Sequence, residues 1–77
     1  MANQKMMDKL IEIVENQLNT EDPKCTKETY DRLMQMGYTK ERAKKMIAAV
    51  LVEEMSSLMK NQEPFNEQRY GEKLAEL

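Results

Sequence analysis

The 77-residue chain contains no histidine and no tryptophan, one cysteine, two glycines, two prolines and four aromatic side chains, one Phe and three Tyr. Without histidine there is no imidazole base and no histidine-ligated metal. Ser56, Ser57 and Cys25 therefore have no partner for a nucleophilic triad. One cysteine cannot close an intrachain disulfide, which points to a reducing compartment. The longest apolar run, Met46 to Val52, covers 7 residues, against ~20 for a membrane span. No apolar stretch of signal-peptide type opens the chain, so a cytoplasmic location with no membrane association is expected. Charge is nearly balanced, 12 basic against 14 acidic residues, and no overall field favours nucleic acid.

What is abundant is methionine, 8 residues, and helix-forming sequence. The length suits one domain, residues 1–77, whose core supplies only ~3–5 kcal/mol, so ideal helix packing or self-association has a part to play. Four helices are expected, at about 2–19, 23–36, 40–60 and 67–76, in an all-α bundle with the third helix central. In the first, Met7, Leu10, Ile11, Val14 and Leu18 follow one helix face, and Gln17 projects beside it. Asp22-Pro23 reads as N-cap plus first helical residue of the second. That helix presents Thr26, Tyr30, Leu33 and Met34, and stops at Gly37. Thr39 caps the third, roughly 31 Å long at 1.5 Å per residue. Glu63-Pro64 breaks the chain and Asn66 caps the fourth helix, with Phe65 and Tyr70 placed as a hydrophobic staple. Gly71 weakens this helix by ~1 kcal/mol relative to Ala, and it should fray first.

The third helix carries two apolar stripes. Ala43, Ile47, Val50, Leu51 and Leu58 form one; Ala48, Val52, Met55 and Met59 lie roughly 100–160° away. The second needs a cover that a short fourth helix does not fully supply, so these four residues are candidates for an interface. Glu54 falls within the first stripe, about 20° from Ile47. A carboxylate there must be paired, hydrogen-bonded, protonated or at the open end of the bundle. Gln17 and Tyr30 are its expected partners, and the three together are the candidate polar or ligand-binding cluster.

Other groupings read as ordinary surface or core. Glu12, Glu15, Glu53 and Glu54 lack the Glu-x-x-His pairs of bundle di-metal sites and the loop pattern of a calcium site. The methionines and Cys25 are the soft ligands of a Cu(I) site, but methionine is also a flexible core filler and a sticky partner surface. Lys40, Arg42, Lys44 and Lys45 spread around their helix with no glycine-rich loop before them.

Met36-Gly37-Tyr38, followed by Ala43 and an apolar helix, resembles the loop of ubiquitin-associated domains over about Leu33 to Ile47. That resemblance implies docking on a ubiquitin-like protein. The family needs a break soon after this segment, whereas one helix is expected here to about Lys60. A second resemblance spans about Met6 to Leu77. The order Glu15-Asn16-Gln17-Leu18, Asp22-Pro23, Tyr30-Asp31-Arg32-Leu33, Glu41-Arg42-Ala43, Val50-Leu51-Val52-Glu53-Glu54 and a closing Tyr70 helix is similar to a family of uncharacterised small bacterial helical domains. The resemblance implies the fold and a shared interior holding Gln17 and Glu54. Many members of that family carry His-x3-His pairs at the places of Met7 and Ile11 and near Glu41 and Lys45; this chain has none. The expectation is a non-enzymatic, cofactor-free and metal-free helical protein acting through protein contacts or self-association. The alternatives are a small ligand- or metal-binding domain at Gln17, Tyr30 and Glu54, and ubiquitin-like-protein binding through Met36-Gly37-Tyr38.

Overall fold

The computed structural model describes residues 2–77 and divides them into α1 (Ala2–Thr20), α2 (Lys24–Gln35), α3 (Lys40–Asn61) and α4 (Glu67–Leu74), with no strand among the described residues. The bundle is all-α, and α3 packs against each of the other three helices. It supplies Ala43, Ile47, Ala48, Val50 and Leu51 to a core completed by Leu10, Val14, Leu33, Tyr70 and Leu74.

Three helices end alike. The residue after the last turn takes a left-handed conformation, and the next N–H reaches back five residues, the hydrogen bond of a Schellman cap. At α2 the left-handed residue is Gly37 (φ 99°), with Tyr38 N–H on Leu33 O at 3.2 Å. At α1 and α3 it is Glu21 (φ 53°) and Gln62 (φ 52°), closed by Asp22 N–H on Gln17 O and Glu63 N–H on Leu58 O, both 3.2 Å.

The α1 cap corrects the expected start of α2. Asp22 donates its backbone N–H to the preceding helix and lies one residue before the N-cap of α2. Pro23 takes that place in extended backbone with no side-chain cap bond, the Asp22–Pro23 peptide is cis, and the helix begins at Lys24. The other two starts follow the sequence. Thr39 accepts from Arg42 N–H at 3.2 Å and Asn66 from Arg69 N–H at 2.9 Å. The Phe65 and Tyr70 rings meet edge-to-face with centroids 5.4 Å apart.

Helix α4 stops at Leu74, two residues short of expectation. Its end is tightened by Glu76 N–H on Lys73 O and Leu77 N–H on Leu74 O. The Arg32 guanidinium, from α2, donates to Leu74 O at 3.0 Å and Leu77 O at 2.9 Å. Leu74 O thus receives a second donor beside Leu77 N–H, and a cation at the negative end of the helix also complements its dipole.

Two grooves flank α1. On one side Asp8, Ile11 and Glu15 face Glu41, Lys44 and Lys45; on the other Met6, Lys9, Leu10 and Ile13 face Val52, Met55, Ser56 and Met59. Between those two stretches of α3 lies Ala48, fully buried. Helix α1 therefore crosses the middle of α3 over a small side chain and leaves the C-terminal half of α3 without a helix on that side.

Candidate functional site

Glu54 is fully buried and is paired. Arg69 Nε donates to both carboxylate oxygens, at 2.9 and 3.0 Å, and Lys73 Nζ lies 3.1 Å from Oε2. Arg69 and Lys73 stand one turn apart on α4, so both cations reach the same carboxylate. Arg69 Nη2 also contacts Glu63 Oε1 at 2.7 Å, an ion pair between two buried atoms. Burial alone raises the Glu54 carboxyl, but the hydrogen bonds and charges of Arg69 and Lys73 outweigh it and hold the group below the ordinary carboxylate range. Arg69, contacted first by Glu63 and then by Glu54, is pushed above its ordinary value. This network is an ionic bolt between α3 and α4 with all of the carboxylate's charge already neutralised.

Gln17 belongs to a different network. Its Oε1 accepts from Thr26 Oγ1 at 2.8 Å and from Tyr70 Oη at 3.3 Å, which ties α1 to α2 and α4. Thr26 and Tyr70 are fully buried, and burial raises the Tyr70 phenol, partly offset by the Thr26 hydroxyl. Tyr30 is half-buried against the core. No hydrogen bond among the described residues joins Gln17, Tyr30 and Glu54 to one another, so the three do not form one site. Sequence reasoning missed Arg69, Lys73, Thr26 and Tyr70 as the true partners. The signal for the first two was present: a carboxylate in an apolar stripe needs a cation from another helix, and Arg69 and Lys73 flank the apolar Tyr70–Leu74 stripe of α4.

The third feature is the apolar groove between α1 and the C-terminal half of α3. Its volume is about 250 Å³, and nearly all its wall is hydrocarbon and thioether: Met6, Leu10, Ile13, Val52, Met55 and Met59. Met6 is 55% exposed, Met55 37% and Met59 81%. Of the four expected interface residues, Val52, Met55 and Met59 line this groove. Ala48 does not: it is sealed beneath the crossing of α1 and is unavailable to any partner. Met6, Lys9 and Ile13 of α1 take its place, a set that a wheel of α3 alone could not supply.

Around Gly37 the tripeptide divides: Met36 and Gly37 are exposed, while Tyr38 is half-buried against the core. Met7 and Ile11 both pack against the core, and Ile11 also lines, with Glu41 and Lys45, the polar groove of about 370 Å³ on the other flank of α1, which Lys44 and Glu15 bridge by an ion pair of 3.1 Å. Cys25 is half-buried; burial first, and then the negative charge of Glu67, push its thiol up, away from the reactive thiolate. Among the described residues no helix is long and apolar enough to cross a membrane. Comparison with family models, with curated proteins and with solved structures finds no match.

Proposed function

We propose that the protein works by protein contact without catalysis, and that the groove between α1 and α3 receives a second copy of the same chain. The observation that carries this reading is the concentration of exposed apolar side chains at that groove. Of the five exposed methionines and aromatics among the described residues, Met6, Met36, Met55, Met59 and Phe65, three lie on its walls: Met6, Met55 and Met59.

The surface of the chain leaves room for a second copy as the occupant. The chain exposes 5545 Å², whereas a folded monomer of 9.1 kDa is expected to expose roughly 4,900 Å². The excess is roughly 650 Å² over the whole chain, and an interface of standard size takes ~800 Å² from one partner. Shape points the same way. One face carries both a recess, lined by Leu10, Ile13 and Val52, and the highly exposed Met59, so a second copy can offer its own Met59 to the recess across a two-fold axis. Lys9 on the wall has no ion-pair partner among the described residues, and exposed Glu12 follows it by one turn. A two-fold arrangement can set the Lys9 of each copy against the Glu12 of the other.

Sedimentation velocity over a concentration series tests this reading. A rising dimer fraction is expected, abolished by Met59→Glu and by Val52→Lys while the helical circular dichroism is kept. A wild-type chain that stays monomeric throughout the series overturns it.

A further inference from the structure

We propose that Met6, Met55 and Met59 form a methionine modification site at which a two-electron oxidant of the peroxide class controls self-association. This inference rests on the self-association reading above and names its regulation. Four methionines are exposed or nearly so among the described residues, Met6, Met36, Met55 and Met59, and three of them converge on one groove. They come from two helices, and Met55 and Met59 stand one turn apart on α3. Met7, Met34 and Met46 are half-buried against the core instead. The chain thus separates packing methionines from reachable ones, and places the reachable ones where an apolar surface matters.

The chemistry is balanced without help from the protein. A thioether lone pair attacks one oxygen of hydrogen peroxide. The S–O bond forms as the O–O bond breaks, the sulfur loses two electrons, and the displaced hydroxide takes up the remaining proton to leave as water. The product is a methionine sulfoxide, polar and a strong hydrogen-bond acceptor, on a surface that offers it almost no donor. Only Lys9 and Ser56 carry donors on the groove wall. In the dimer these methionines are covered, so oxidation acts on the free chain present in exchange and withdraws it from the equilibrium. Each sulfoxide buried without a donor should weaken association roughly tenfold to a hundredfold. Because the side chains lie outside the core cluster, the free chain keeps its fold. Enzymatic reduction of the sulfoxide restores the thioether and with it the apolar surface.

The test treats the full chain with hydrogen peroxide, locates the added oxygens by peptide mass spectrometry, and follows association by sedimentation. A variant with Met6→Leu, Met55→Leu and Met59→Leu serves as the comparison, with Met36 left in place as an exposed control. The expected result is dissociation of the wild type at unchanged helical circular dichroism, reversal by a methionine sulfoxide reductase, and a peroxide-resistant dimer of the leucine variant despite oxidation at Met36. Oxidised wild type that remains dimeric with sulfoxide at all three positions overturns the switch and leaves self-association standing. Dissociation of the leucine variant by peroxide, or loss of helicity in the oxidised wild type, also overturns it. A wild type that is monomeric before any peroxide is added removes the self-association reading itself.

Discussion

Replacing Glu54 by Gln and by Leu separates the charge of this side chain from its shape, and the two substitutions should have opposite rank from the one chemical similarity suggests. In Glu54→Gln the side chain stays buried, but one carboxylate oxygen becomes an amide NH2 facing the Arg69 and Lys73 donors. Charge-assisted hydrogen bonds contribute about 1.5–3 kcal/mol, and a buried donor left facing another donor costs about 1–3 kcal/mol. Both cations are about one-third exposed, 31% and 32%, and can lean toward water, which screens part of the loss. A net cost of about 2 kcal/mol follows, or a fall of ~10 °C in melting temperature for a domain of this size. In Glu54→Leu nothing polar remains buried, the position lies within the apolar stripe of α3, and the two cations are long enough to reach solvent. Exchange of a buried ion for a hydrophobe is often neutral, so Leu should stay within about 1 kcal/mol of wild type. The pH dependence gives a second check. The folded carboxyl is held below the ordinary value of 4.5, so its contribution is complete above that value and is lost as pH falls through the lowered folded value. The gap between wild type and Glu54→Gln should be flat from about pH 6 to 8 and close below about pH 4. Thermal melts of the three proteins over that range measure it. Equal stability of wild type and Glu54→Gln at neutral pH, or a gap that does not narrow in acid, would falsify the ionic-bolt account.

Three further outcomes follow from local geometry. Gly71→Ala should stabilise by about 0.5–1 kcal/mol, since alanine is the better helix former and the added Cβ meets Cys25 Cβ at 3.5 Å, an ordinary contact; a lowered melting temperature would sink this. Gln62→Gly should also stabilise, by about 0.5 kcal/mol, because Gln62 holds a left-handed φ of 52° that glycine adopts without strain, and urea denaturation at matched m-values reads the difference. Native Cys25 should alkylate several-fold more slowly near pH 8 than in the urea-unfolded chain, because burial and Glu67 keep the thiol protonated, and Glu67→Gln should recover a small part of that rate. Equal native and unfolded rates would refute the raised thiol.

The architecture was legible wherever a residue type forces a backbone choice. Gly37, Thr39, Asn66 and the Phe65–Tyr70 pair act locally, and each lies where its chemistry requires. Glu21 and Gln62 were not legible as left-handed caps, because neither side chain signals that conformation and the surrounding helix ends impose it. Asp22 was misassigned as well: the unforeseen cap at Glu21 sets the path of the chain into α2, which begins one residue later, with Pro23 at the N-cap. The polar interior was half legible. Helical periodicity places Glu54 among apolar neighbours, but which helix supplies its counterion depends on how α4 docks, and periodicity within α3 carries no information on that. Ala48 shows the same limit, since its burial follows from the path of α1 across α3.

Helix α4 has 8 residues, too few to be stable alone in water, where even helices of ~12–15 residues are marginal. Its order is therefore borrowed from what holds it: Tyr70 and Leu74 in the core, Glu54 at its start and Arg32 at its end. Amide hydrogen exchange along Arg69–Leu74 consequently reports the docking equilibrium of one small element. Where that opening is cheaper than global unfolding, these amides exchange first, and salt or acid that loosens the Glu54 ion pairs accelerates them ahead of the α3 interior.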